Sequence, residues 1–515
     1  MRANPGLGFV GAFLEVAAGQ PHAPAIVHGD TVVTYGETAA MVERCAAALR
    51  AAGCDGGLVA FSLPKGPQAV VLMLACLLAR VPYLPIDAGA PLPRRRQILA
   101  DADPVLLVVP TRRTADWPGE RFATFGSLVR GGDDATARYL TSQLAVARRT
   151  ARGTAADDLA YVLYTSGSTG SPKGVMISTA NAGYFVDWAS RAFPLGPGDQ
   201  VAQHAPLHFD LPVYDVFVAL SAGACLHVVD ERTAMFPSAV YTLLRERGIT
   251  AAYMVPSALN ALVRRSGFAR EGLPDLRQLL YAGEEYPVPQ LRTLTAGLRP
   301  DAFVGNLYGP VETNVVTWHG VDTTALAAGR VPIGRAVPGT DVRVLDAAGG
   351  SYARSAEGEL IVSGPSVSPG YLNDPRRTAS TRVTTRVDGV DRVYYRTGDF
   401  ARIDAEGVVH FLGRRDGLVK TRGFRVEVGD VEAVLAAHDQ IRQAAVVPVE
   451  DSGAGTVMAA HVVAAHGAEL TADAVRRWVG KHLPSYMVPA LVTFHRELPT
   501  TSTGKIARAE LGGVR

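Results

Sequence analysis

The sequence predicts an α/β protein: a large N-terminal domain of parallel-sheet α/β subdomains plus a β-rich subdomain, followed by a small C-terminal α+β domain. Three observations carry this expectation. Short apolar, β-prone runs alternate with helical stretches through the first part of the chain, as in βα units that feed parallel sheets. Near residue 330 the pattern changes to short strands separated by turn signals. After Gly413-Arg414-Arg415-Asp416, a final stretch of roughly a hundred residues mixes helices with strands, enough for one small domain.

The elements follow in order. Leu58–Leu63 reads as a strand, Gln68–Ala79 as a helix and Pro104–Val109 as a strand. The run Ala69–Ala79 is the longest strongly apolar stretch. It is too short to span a bilayer and reads as a buried helix. Arg130–Thr154 is rich in Arg, Asp, Gly, Thr and Ala, which suits a surface excursion. Leu159–Tyr164 is a further strand. In the β-rich part, Asp341–Leu345, Gly358–Val362, Tyr394–Tyr395 and Gly407–Phe411 are expected strands. In the last domain Val431–Ala437 and Ala472–His482 read as helices, and Ala444–Val449 and Val457–Val463 as strands.

Composition bounds the function. The 515 residues are 48% hydrophobic and 19% charged, enough for several buried cores. Lys plus Arg number 51 against 49 acidic residues. That balance gives no argument for nucleic acid or an anionic membrane as partner. Cys45, Cys54, Cys76 and Cys225 form no C-x-x-C pair and read as buried thiols in a reducing cytoplasm. The N-terminus carries Asn4, Pro5, Gly6 and Glu15, unlike a signal peptide.

After Tyr164 comes Thr165-Ser166-Gly167-Ser168-Thr169-Gly170-Ser171-Pro172-Lys173-Gly174. Glycines let backbone N–H groups turn towards an anion, hydroxyls add donors, and the lysine adds charge. A phosphate loop is one reading. A flexible surface turn competes with it on composition alone. The Walker spacing fails because Lys173 precedes Gly174, and the dinucleotide G-x-G-x-x-G is absent here.

Leu159–Gly174 closely resembles the signature loop of adenylate-forming enzymes: peptide-synthetase adenylation domains, acyl-CoA synthetases and luciferases. The resemblance continues in order along nearly the whole chain. It runs through Thr34-Tyr35-Gly36-Glu37, Tyr83-Leu84-Pro85-Ile86-Asp87, Tyr308-Gly309-Pro310-Val311-Glu312-Thr313 and Gly358-Glu359-Leu360. It goes on through Tyr395-Arg396-Thr397-Gly398-Asp399, Gly413-Arg414-Arg415-Asp416, Leu483–Pro489 and Thr503-Gly504-Lys505. The amino-acid-activating branch is the most similar. Arg80-Val81-Pro82, Pro369 and Val311 depart from the family pattern, but none removes a charge that the chemistry needs.

The resemblance implies two domains, 1–415 and 416–515, the second mobile about a hinge at Asp416. It implies ATP and Mg²⁺. Lys505 matches the lysine that bridges the carboxylate and the α-phosphate; Glu312 matches the magnesium-associated carboxylate, and Arg414 is expected at the ribose or phosphates. Thr165, Ser166, Ser168, Thr169 and Lys173 are expected on the phosphates. Gly283, Asn306, Tyr308, Gly309 and Thr313 belong to the expected nucleotide site, with Tyr308 stacked on the base. Asp399 is expected to accept from the ribose hydroxyls. Without the resemblance, Lys505, Asp399 and Arg414 would read as a solvated lysine, a turn cap and a surface ion pair.

Asp210, in His208-Phe209-Asp210-Leu211, matches the carboxylate that meets a substrate α-ammonium group. A buried carboxylate needs such a cation; locally, a helix N-cap is the plain alternative. The other matched pocket positions are Leu211, Tyr214, Tyr253, Leu280, Ala282, Leu307, Val315 and Val316, with Lys505 at the carboxylate end. None of the eight carries a charge, so a small apolar side chain is expected. The set resembles that of stand-alone L-prolyl adenylation enzymes of pyrrole-carboxylate pathways. Valine, leucine, alanine or a cyclic analogue stay open, because apolar pockets discriminate methylenes weakly.

The expected function is ATP-dependent activation of a small amino acid, L-proline first among the candidates, followed by transfer to phosphopantetheine. During transfer Val419–Gly423 would face the site. No carrier-type segment follows Lys505, so a separate peptidyl carrier protein is the expected partner. An acid–CoA ligase and an adenylate-dependent amide ligase are the alternatives.

Overall fold

A computed structural model describes residues 8–110, 122–129, 159–165, 172–323, 330–347, 349–414, 418–421, 424–451, 455–465, 468–499, 506 and 508–511. The excursion Arg130–Thr154 lies outside the described residues, as do Ser166, Ser168, Thr169, Asp416 and Lys505.

Two α/β sheets form the large domain. In the first, six strands run parallel, in the order Phe303–Tyr308, Gln278–Ala282, Ala251–Met254, Gln200–Gln203, Cys225–Val228 and Pro24–His28. Antiparallel edge strands complete it to nine. Gln278–Ala282, QLLYA, is buried at every position, because a parallel strand covered on both faces needs apolar side chains throughout. In the second sheet Leu159–Thr165, Tyr83–Pro85, Val59–Phe61, Leu106–Val109 and Phe122–Thr124 are parallel. Lys173–Ser178 and Gly370–Tyr371 add to it antiparallel. The helix Pro67–Ala79 is buried almost all round, and one apolar core reaches both sheets.

The β-rich part is a six-stranded antiparallel sheet, which includes Asp341–Leu345, Ala356–Ser363, Val390–Ile403 and Val409–Arg414, over its own core. The last domain has a three-stranded sheet of Ile441–Asp451, Gly455–Ala464 and Leu491–Phe494. The helices Val428–Ala436 and Ala472–His482 pack with it on a separate core. A hairpin of Leu418–Thr421 and Phe424–Glu427 precedes them. All four cysteines are buried and free. Among the described residues no helix is long and apolar enough to cross a membrane.

Candidate active site

Parallel strands of an open sheet release their loops at the carboxyl edge, where ligands of such folds bind. Here the segments after Gln200–Gln203, Ala251–Met254, Gln278–Ala282 and Phe303–Tyr308 all leave by that edge. They carry Asp210, Gly283 and Gly309. A cavity of about 80 Å³ forms there. Thr165, Asp210, Leu211, Tyr253, Ala282, Gly283, Gly309, Val315, Asp399 and Arg414 all line it. Ten residues expected from widely separated motifs therefore meet in one place.

Local backbone demands explain the glycines. Gly283 has φ 92°, a conformation that costs side-chain-bearing residues dearly. A Cβ on Gly309 would stand 1.5 Å from the Asn314 carbonyl oxygen, so only glycine lets these two turns close. Asn314 itself sits at φ 50°, which asparagine tolerates, and it lines the cavity.

Several expected pocket residues stand behind the wall. Tyr214 is buried, with its ring edge-on to Tyr253 at 5.9 Å between centroids. Its hydroxyl donates to the Phe193 carbonyl at 3.3 Å and accepts from Gln278 Nε2. Leu280 and Leu307 are buried in the same core. Val316 packs in the core of the β-rich sheet, together with Tyr308. The pocket thus has a front wall, Tyr253, and a second wall behind it.

The residues expected at the nucleotide are held by polar contacts. Arg414 Nη1 donates to Asp399 Oδ1 at 2.5 Å and to the Thr397 carbonyl at 3.1 Å. Both partners are buried: 7% of the Arg414 side chain and 1% of the Asp399 side chain are exposed. The Tyr308 hydroxyl donates to Asp399 Oδ2. Burial, then the Asp399 charge, pushes the Tyr308 phenol far up. Asn306 donates to the Pro332 carbonyl at 2.8 Å, and Thr313 to that of Pro310 at 3.1 Å. Tyr308, Asn306 and Thr313 therefore brace the site from behind, and the Tyr308 ring packs on Phe411 at 6.2 Å.

Thr165 and Lys173 face each other across the base of the glycine- and serine-rich segment. Lys173 Nζ lies 3.4 Å from Glu312 Oε1, and both are buried. The Tyr371 hydroxyl donates to that same oxygen at 2.8 Å, and Lys173 lies over the Tyr371 ring at 5.1 Å. Burial, then the Glu312 charge, pushes the Tyr371 phenol up, so it stays a donor. Among the described residues no group of three or more His, Cys, Asp or Glu could hold a metal. A single hard carboxylate, Glu312, beside the lysine expected at the phosphates would still suit Mg²⁺, which commonly keeps water and phosphate oxygens as its other ligands.

Sequence reasoning missed the aromatic mouth. His208, Phe209, Phe424 and Tyr486 line the cavity. Phe424 and Tyr486 stack at 3.5 Å, and Phe209 meets Phe424 edge-on at 4.5 Å. Phe424 and Tyr486 come from the small domain, so both domains build the cavity. His208 Nε2 is buried with no hydrogen-bond partner in the structure, and burial, helped by the Lys65 charge, lowers its pKa. His208 and Phe209 were visible beside Asp210, and Tyr486 lay within the motif Leu483–Pro489; Phe424 carried no local signal.

A small cavity with Asp210 among apolar side chains, bordered by the Asp399–Arg414 pair and next to the buried Lys173–Glu312 pair, defines an enzyme that activates an acid with a nucleotide. The chain belongs to the AMP-binding enzyme family, which it matches over residues 13–372, with the AMP-binding enzyme C-terminal domain over residues 430–505. It is 37% identical over 508 residues to an L-proline–[L-prolyl-carrier protein] ligase of Streptomyces coelicolor, covering 95% of this chain and 93% of that one. A ligase of the same name from Pseudomonas fluorescens is 36% identical over 499 residues, covering 95% and 96%. Among solved structures, PA1221, an NRPS protein containing adenylation and PCP domains bound to a vinylsulfonamide inhibitor, superposes with a TM-score of 0.80 at 26% identity. That match covers 98% of this chain and 83% of that one.

Proposed function

We propose that the protein activates L-proline as prolyl-AMP and passes the prolyl group to the phosphopantetheine thiol of a separate carrier protein. The observation that carries this reading is Asp210 on the wall of an 80 Å³ cavity where Leu211, Tyr253, Ala282 and Val315 supply apolar wall and Asp399 and Arg414 supply a charged border. A carboxylate there pairs with an α-ammonium group, and the apolar walls favour a compact side chain. The names of the two bacterial relatives point the same way.

In the first step a carboxylate oxygen of proline bonds to the α-phosphorus of ATP. The bond from that phosphorus to the bridging oxygen breaks, and pyrophosphate leaves with the electron pair. Asp210 orients the ammonium group. Lys505 is assigned to the carboxylate and α-phosphate, and Thr165, Ser166, Ser168, Thr169 and Lys173 to the departing phosphates. Asp399 and Arg414 take the ribose side, where their contact with each other opens to admit it. Gly283, Gly309 and Thr313 shape the nucleotide turn. Glu312 would hold Mg²⁺, which would offset phosphate charge.

In the second step the thiol sulfur attacks the acyl carbon, and AMP leaves. The small domain is assigned a turn about Asp416 between the steps. The hairpin of Leu418–Thr421 and Phe424–Glu427 flanks the cavity through Phe424, which supports the orientation of this second step. Four buried free thiols suit a cytoplasmic location.

Amino-acid-dependent ATP–pyrophosphate exchange across a panel of amino acids tests the reading. Exchange with proline above valine, leucine and alanine is expected. Exchange with none sinks it, and preference for another amino acid sinks the substrate assignment alone. Lys505→Ala is expected to lose most exchange; full exchange in that variant overturns its role.

A further inference from the structure

Beside the substrate cavity lies a second, more open cavity of about 640 Å³. Five cations line it: Lys173, Arg376, Arg377, Arg396 and Arg414, against the carboxylates of Glu359, Asp374 and Glu427. The two cavities share one residue, Arg414. Lys173 and Tyr371 line the second cavity, and Glu312 bonds to both from behind.

Among the described residues, four of the five cations, all but Arg376, are paired with carboxylates. Glu359 Oε2 holds Arg396 Nη2 at 2.5 Å, and Asp374 Oδ2 lies 3.3 Å from Arg377 Nε. Arg377 lies over the Tyr371 ring at 6.0 Å, the same ring that carries Lys173. Arg376, its neighbour on the helix Pro375–Ser380, is exposed. A guanidinium fork matches phosphate oxygens in pairs, and several forks around one concavity suit a ligand with more than one phosphate.

We propose that this cavity is a holding site for the pyrophosphate released in the first step, with Arg376 and Arg377 as its outer ligands. The inference rests on the adenylation reading above. The attacking carboxylate occupies the apolar cavity. In an in-line displacement the leaving group departs on the opposite face of the α-phosphorus. Lys173, assigned to the departing phosphates, lines the second cavity, so the diphosphate leaves towards it and the arginines. Its bridging oxygen keeps the electron pair of the broken bond, and the cations meet that charge.

Pyrophosphate also serves as a substrate of exchange, so its KM can be read separately from that of ATP. The double variant Arg376→Ala/Arg377→Ala is expected to raise the KM for pyrophosphate about tenfold, with the KM for ATP and for the amino acid little changed. Arg377→Lys, which keeps the charge but not the fork, should fall between. Thermal melting of each variant separates a folding defect from a binding one, and Arg376→Ala alone changes only an exposed side chain. An unchanged KM for pyrophosphate overturns the site. An equal rise in the KM for ATP also overturns it, since the arginines would then serve the bound nucleotide. Absence of exchange in the unmodified protein is a different failure, that of the adenylation reading.

Discussion

Asp399 shows what one buried charge does in this site. Its carboxylate receives Arg414 on one oxygen and Tyr308 on the other. Replacing one partner of a buried pair strands the other charge in a low-dielectric setting. Asp399→Asn is therefore expected to cost about 3 kcal/mol of stability in urea unfolding and to raise the KM for ATP. A variant with unaltered stability would mean that Arg414 finds another acceptor. Buried histidines bear on acid stability. Burial pushes His204 down to about 3 and His227 down to about 4, and also lowers His208. The unfolded chain takes up these protons near its ordinary value of about 6.5, the folded chain only well below it. Their contribution to stability is whole above that value and is lost as pH falls towards the folded values. The urea midpoint should drop from about pH 7 to about pH 4.5; a flat profile counts against this burial. Single residues also show what the sequence reveals. Val315 and Val316 are adjacent and were both placed in the pocket, yet they enter different cores. They lead into the strand Thr317–Gly320, and extended chain turns successive side chains to opposite faces. That alternation was readable. The bond from Tyr371 to Glu312, across 59 residues of sequence, was not.

At the scale of elements, the most local chemistry was the most legible. The helix Ala472–His482 has the expected bounds, and the strand Leu159–Thr165 ends where its hydroxyl- and glycine-rich loop begins. The helix Tyr35–Ala51 begins on a capping box: Thr34 Oγ1 accepts from the Glu37 N–H at 3.2 Å, and the Thr34 N–H donates to Glu37 Oε2 at 2.9 Å. The same four residues had been noted only as a family motif, although their spacing is a helix-start signal. Thr34→Ala should cost about 1 kcal/mol, seen as a lower melting temperature with exchange activity retained; loss of exchange without loss of stability would give this helix start a direct catalytic role. The π-helix Val213–Val218 was not legible. Its wider turn depends on the packing of six buried side chains, which no local pattern announces. The aromatic mouth was illegible for a related reason, since Phe424, stacked on Tyr486, meets Phe209 only once two separate cores have formed.

At the scale of the whole molecule, one cavity is walled by two independently cored domains. The small domain brings Phe424 and Tyr486 to the cavity that Asp210 and Arg414 also line, so a turn of that domain would change the site. If Asp416 carries the turn, a fixed φ there should trap one orientation. Asp416→Pro is expected to leave ATP–pyrophosphate exchange near its full rate and to slow transfer to the carrier at least about tenfold. Equal loss of both half-reactions would place the pivot elsewhere.

The double wall of the pocket bears on how easily its selectivity could be changed. Tyr253 faces the cavity, but Tyr214 stands behind it, tied to Phe193 and Gln278. Trimming the first ring exposes a second rather than lengthening the pocket. Trimming the second leaves the Gln278 amide without an acceptor in the core. Along that wall, room for a longer side chain would need concerted replacement of both rings and of Gln278, a several-step mutational path.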